Sequence, residues 1–209
     1  AFVSGLPGDH LCTLNPLMTL DDCAATFDAL EPIGAPGEQF RYGSAHMATM
    51  GSMVQALTGE DWDTIFEQEI KGPLGIDSDE VRYYTVPADE GIGLQNPLLA
   101  GGLTISIDEY MPILSVLFHR GAFEGETFVD PSLMDRFFRN DYPDAGVNEA
   151  TIGPYSFGSW LLCGQGVHEC DSVTSPGAFG FTPWVVDSDG EPRYYAVLGM
   201  RSEGADGAI

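Results

Sequence analysis

The spacing of apolar positions changes once along the chain. Up to about residue 138 they recur with the 3.6-residue period of helices. Residues 17–30 predict a first helix, with Asp21 and Asp22 in its first turn, where carboxylates suit the positive end of the helix dipole. Residues 44–57 predict a second, with Met47, Met50, Val54 and Leu57 at helical spacing and Gly59 as its C-terminal stop. Asp61 can cap a third, whose stripe is Trp62, Ile65, Phe66 and Ile70 and which Gly72-Pro73 is expected to end. Residues 107–119 place Tyr110, Met111, Leu114, Leu117 and Phe118 on one face, and Pro131 opens a short helix through Phe138. Beyond that the pattern is β-prone: 155–162, 177–186 and 194–201 read as strands, with Asp187-Ser188-Asp189-Gly190 as a hairpin turn. The expectation is an α/β protein, mainly helical over residues 1–150, followed by an antiparallel meander over 151–209. The loops at 32–37 and 140–148 do not mark a domain boundary.

Composition narrows the partners. The 209 residues carry a formal charge of −24, with 8 basic against 32 acidic side chains, and Lys71 is the one lysine. Such a field repels phosphates, so nucleic acid is not an expected partner, nor is an anionic membrane surface. No apolar run reaches the roughly 18 residues of a membrane span. No signal peptide is visible at Ala1-Phe2-Val3-Ser4-Gly5; either it was removed or the chain does not start at the natural beginning. An acid-rich, lysine-poor surface suits a salty milieu, where counterions screen self-repulsion, so a marine or halophilic source and an ordinary acidic secreted protein stand as equal readings. The 44% hydrophobic content is enough for a core.

The four cysteines form two sequence-local pairs, Cys12 with Cys23 and Cys163 with Cys170. Two short disulfide loops would place the protein in an oxidising compartment, secreted or periplasmic; four buried thiols are the alternative. The favoured disulfide is Cys163–Cys170, which flanks the turn-like Gly164-Gln165-Gly166. Neither these cysteines nor His10, His46, His119 and His168 have metal-ligand spacing. Asp187-Ser188-Asp189-Gly190 lacks the remaining ligands of a calcium loop. Met47, Met50 and Met53 read as core packing rather than a soft metal site, and Trp160 and Trp184 as core rather than pocket lining.

Six strings, in order, resemble the serine β-lactamase-like family of class C β-lactamases, DD-peptidases and esterases. They are Ser4-Gly5-Leu6-Pro7; Pro36-Gly37-Glu38-Gln39-Phe40-Arg41-Tyr42; Thr58-Gly59 with Pro73-Leu74-Gly75-Ile76; Ala100-Gly101-Gly102-Leu103-Thr104-Ile105-Ser106; Tyr155-Ser156-Phe157-Gly158; and Ser175-Pro176-Gly177-Ala178-Phe179-Gly180. The resemblance covers nearly the whole chain. It implies the C-terminal two-thirds of a β-lactamase/transpeptidase-like fold, an antiparallel sheet flanked by helices with a helical subdomain. The N-terminal strands and the nucleophile helix would be missing from this chain.

That family transfers acyl groups through a serine ester, using a Ser with a Lys three residues on, a Tyr beside both, and an oxyanion hole. Tyr42 matches the tyrosine, as general base or acid. Ser44 stands where the family usually has Asn; it would line the substrate site, or alternatively cap its helix. Ser175-Pro176-Gly177 replaces the Lys-Thr-Gly box, so Ser175 and Gly177 would also line the site, and the Ala178 N–H matches an oxyanion-hole donor. No Ser-x-x-Lys occurs, because Gln68 precedes Lys71 by three. The loss of both the Asn and the Lys of those motifs points from β-lactam substrates towards carboxylic esters. No metal or organic cofactor is implied. The expected partners are a small-molecule ester or amide, and a second polypeptide or homodimer that completes the sheet. The competing reading is a non-catalytic homologue acting as a binding or assembly module.

Overall fold

The computed structural model describes residues 2–86, 91–145, 154–163, 170–187 and 193–199. Residues 188–190 of the expected hairpin turn, the Gly164-Gln165-Gly166 turn and His168 lie outside these, as do residues 146–148 of the 140–148 loop and residues 200 and 201 of the last strand. The chain divides into two compact units: residues up to Ile105, joined by Asp144 and Ala145, and the described residues from Ser106 onward apart from those two.

The first unit is helical. After a 3-10 turn at Leu11–Leu14 comes α1 (Leu20–Thr26), then α2 (Ser44–Thr58), α3 (Trp62–Phe66) and the short α4 (Gly72–Leu74). Two short strands, β1 (Arg82–Tyr83) and β2 (Leu103–Thr104), pair antiparallel. The first helix starts later than its apolar pattern because the Thr19 side chain caps it, accepting from the Asp22 N–H; Leu17 is left 93% exposed. Asp61 caps α3 in the same way through the Thr64 N–H, and Gly59 closes α2 at φ 78°.

Gly72-Pro73 does not end the third helix. The chain widens into a π turn at Glu67–Lys71, in which the Gly72 N–H reaches back to the Glu67 carbonyl. A missing Pro73 donor is therefore absorbed where the ladder is already shifting, and the stop falls at Gly75, φ 68°.

The core of this unit is Leu20, Cys23, Phe27, Ala45 and Ala48, with Cys12 bonded to Cys23. α2 contributes its small residues: a Cβ at Gly51 would collide with the Leu99 side chain. None of its predicted apolar stripe is fully buried: Met47 and Val54 are half-buried, and Met50 and Leu57 are exposed. Met50, Met53 and Leu57 are 41%, 60% and 84% exposed, which overturns the reading of these methionines as interior packing. Periodicity finds an amphipathic helix but not which face the rest of the chain covers; here close approach to α1 selects Ala45, Ala48 and Gly51.

The second unit is a meander with helices on it. α5 (Ile107–Phe118) opens with a full capping box between Ser106 and Glu109, and α6 (Pro131–Phe137) is capped by Asp130. A two-stranded hairpin joins β3 (Ala122–Phe123) to β4 (Glu126–Thr127). The main sheet runs β5 (Trp160–Leu161), β6 (Ser172–Thr174), β7 (Phe181–Val186) and β8 (Tyr194–Gly199), all antiparallel in sequence order. α5 packs on β7 and β8, and one apolar cluster holds them: Leu114, Met134, Phe138, Leu161, Val173 and Val185.

Two strand expectations are corrected here. Residues 155–162 contain a tight hairpin, because the Ser156 N–H bonds the Ser159 carbonyl and the Leu161 N–H the Pro154 carbonyl. Residues 177–180 form the turn before β7 rather than its first half, closed by the Gly177 N–H on the Phe181 carbonyl at 2.8 Å. The cysteine expectation is also corrected: Cys12–Cys23 is the disulfide, whereas Cys163 and Cys170 are thiols.

Candidate active site

Tyr42 lies just ahead of α2, and the backbone there is crossed at close range by residues 8 and 9. The crossing depends on glycine from both sides. A Cβ on Gly8 would overlap the Tyr42 carbonyl, and one on Gly43 would overlap the Gly8 carbonyl group. The crossing brings Asp9 to the first turn of α2, where its Oδ1 accepts from the Ser44 N–H at 2.8 Å and from Ser44 Oγ at 3.2 Å. Asp9 thus does what a capping residue does, from 35 positions away in sequence.

Ser44 is buried, and its hydroxyl is engaged: besides Asp9 it meets Thr13 Oγ1 at 2.9 Å. The capping position itself is Gly43, and Ser44 is the first residue of the helix. Tyr42 is half-exposed, its ring resting on Phe2 with centroids 4.5 Å apart. Burial, and secondarily the charge of Asp9, push its phenol above the ordinary tyrosine value. At neutral pH it is therefore a protonated phenol that can donate a hydrogen bond or a proton.

One helical turn on, His46 is buried, and its Nδ1 lies 2.8 Å from Ser4 Oγ. Burial pulls the imidazole below its usual value, so it is neutral at pH 7. Asp9 and Thr13 do not stand out in the sequence, and His46 figures there only as a histidine without metal-ligand spacing. No local spacing betrays them, since each partner lies 31 to 42 residues away.

Ser175, Gly177 and Ala178 lie together in the connection from β6 to β7. All three are exposed, and Phe179 at the tip is 70% exposed. The turn is fixed by the Ser175 N–H on the Pro183 carbonyl at 3.4 Å, by Gly177 to Phe181, and by the Gly180 N–H on the Gly177 carbonyl at 3.0 Å. Gly180 adopts φ 82°, a left-handed conformation that a side chain would strain. No hydrogen bond among the described residues uses the Ala178 N–H. Tyr42 and Ser44 thus belong to the first unit, and Ser175, Gly177 and Ala178 to the second.

No family model matches the chain, and no curated protein matches it in sequence. Solved structures do. The fold is the one shared by serine β-lactamases and penicillin-binding proteins. A proposed β-lactamase from Bacteroides dorei superimposes with a TM-score of 0.71 at 22% identity, covering 90% of this chain and 60% of its own. A penicillin-binding protein from Bacillus halodurans gives 0.63 at 15%, covering 99% and 67%. A β-lactamase from Mycobacterium bovis gives 0.65 at 17%, covering 100% and 66%. The chain therefore spans about three-fifths to two-thirds of the length of these structures.

Proposed function

We propose that the chain is part of a serine hydrolase related to the β-lactamases, cleaving a carboxylic ester or related amide through an acyl-serine intermediate. The observation that carries this reading is Tyr42, a protonated phenol at the entrance to α2 in a chain with this fold. Tyr42 would transfer the proton between the nucleophile and the leaving group. A cation beside it would be needed to bring its phenol down into the range of a base. The Ala178 N–H would donate to the oxyanion, with Ser44, Ser175 and Gly177 lining the substrate site. The nucleophile would come from polypeptide beyond these 209 residues, since no Ser-x-x-Lys occurs among them.

Esters are favoured over β-lactams for two reasons. Ser175-Pro176-Gly177 offers no cation for a carboxylate, and the Ser44 hydroxyl is already held by Asp9 and Thr13. A second polypeptide or a second copy would complete the sheet; the exposed stripe of Met50, Met53 and Leu57 supports a cover over the first unit. The Cys12–Cys23 disulfide supports a secreted or periplasmic location. Among the described residues, no helix is long and apolar enough to cross a membrane.

The second reading, a non-catalytic module, is favoured by one observation. The single lysine is buried, and its Nζ is bound to Glu67 Oε2 at 2.6 Å, so this chain supplies no free lysine to activate a serine.

Fluorophosphonate labelling of the protein isolated from its source, with whatever polypeptide accompanies it, separates the two. The hydrolase reading expects label on a serine three residues before a lysine, with labelling slowed by about a hundredfold or more in Tyr42→Phe. Absence of a labelled serine would leave the non-catalytic module; unchanged labelling of the variant would remove Tyr42 from the mechanism.

A further inference from the structure

Cys163 and Cys170 are thiols although they occupy one end of the same strand pair. β5 and β6 are in register at Leu161 with Val173, and the Leu162 N–H bonds the Ser172 carbonyl at 2.8 Å. Cys163 is the next residue on one strand, and Cys170 lies two before Ser172 on the other. Cys170 is buried in the cluster of Leu161, Val173 and Val185, and Cys163 packs against that cluster. The Cys170 backbone is pinned by its N–H to the Phe138 carbonyl at 2.9 Å, and its thiol donates to the Ser172 carbonyl at 3.2 Å. The two cysteines differ in access: Cys163 is partly exposed and Cys170 is buried.

We infer that Cys163 and Cys170 form a reversible dithiol–disulfide pair, opened and closed by exchange with an external disulfide, while Cys12–Cys23 is a permanent cross-link. The access difference fixes the order of events. The Cys163 thiolate attacks one sulfur of the external disulfide, forming a mixed disulfide and releasing one thiol. The Cys170 sulfur then attacks Cys163 Sγ, forming the intramolecular bond and releasing the second thiol. Two electrons pass from the cysteine pair to the external disulfide, and the two cysteine protons end on its two thiols. The second step is the slow one. Burial, and then the hydrogen bond with Cys163, raise the Cys170 thiol far above the ordinary range, so its thiolate is scarce. The sulfurs of the other pair belong to buried Cys12 and Cys23, out of reach of an attacking thiolate in the folded state.

The test is a redox titration of the intact protein with mixtures of oxidised and reduced glutathione. It is quenched by alkylation and read by peptide mapping without reduction. The expected result is loss of alkylation at Cys163 and Cys170 together, with a cross-linked peptide that disappears on mild reduction. Cys12–Cys23 should stay linked throughout. In Cys170→Ala the glutathione adduct on Cys163 should persist instead of resolving. Two results would overturn the inference: both cysteines still alkylated at the most oxidising poise, or a Cys163 adduct that persists equally in the unaltered protein. The wild-type titration decides the matter without the variant if Cys170→Ala does not fold.

Discussion

The two units solve the problem of a small core in different ways. The second is conventional: Leu114 and Met134 come from helices, Leu161, Val173 and Val185 from strands, and together they form one dry cluster. The first also buries large apolar side chains, Leu20 and Phe27 among them, but its α2 turns small residues inward and leaves Met50, Met53 and Leu57 outside, and a disulfide and buried polar links tie distant segments. One such link is Asn96, whose side-chain amide donates to the carbonyls of Cys12 at 2.8 Å and Asn15 at 3.0 Å, 84 and 81 residues away. Both units are thus held by apolar area, and the first adds specific long-range bonds, each of which can fail singly.

The largest effect predicted here is for a change in the second unit. Leu114→Ala, at a position 1% exposed, should cost about 3–4 kcal/mol in a denaturant titration. A loss under about 1 kcal/mol would mean the cluster is looser than described. Next, replacing Cys12 and Cys23 together by Ala should cost about 2–4 kcal/mol, seen as early loss of amide protection across 11–58 while the meander stays protected. Equal loss in both units would break the contrast. Asp9→Ala should cost about 1–2 kcal/mol, because the Ser44 N–H and Oγ both lose an acceptor; Asp9→Asn should recover part of it.

How much of this was legible beforehand follows from the same contrast. Capping signals are local, so Asp61 and Gly59 could be read directly, and the face of α5 built on Tyr110, Met111 and Leu114 was found because it packs on its own unit. The outward stripe of α2 was misread because a period identifies an amphipathic helix without saying which face is covered. Tyr42 was reached only through a chain of weak motifs. Asp9 escaped because a cap that arrives from 35 residues away leaves no spacing to read. Both cysteine pairs were close in sequence; what separated them was fold position, which sequence distance does not encode.

The smallest effects are in pH dependence, and the units should differ in sign. In the first unit the Tyr42 phenol is raised by burial and by Asp9. Its contribution should be complete below about pH 10 and lost as pH climbs through the raised folded value. In the second, burial works to raise Asp141, but bonds from Arg139 at 2.6 Å and Arg136 at 2.9 Å outweigh it and the carboxyl is lowered. Its contribution should be complete above about pH 4 and lost as pH falls through the lowered folded value. Ultraviolet titration of the phenol and an acid-side melting series would check each, with Tyr42→Phe and Asp141→Asn expected to flatten the respective arm.

The burial of Lys71 has a practical consequence for anyone handling the molecule. With its one lysine ammonium 6% exposed and bound to Glu67, the folded chain offers amine-directed reagents no readily accessible lysine. Succinimidyl dyes and lysine cross-linkers should leave this side chain unmarked until α3 opens, so delayed labelling at Lys71 becomes a built-in reporter of local unfolding around the π turn.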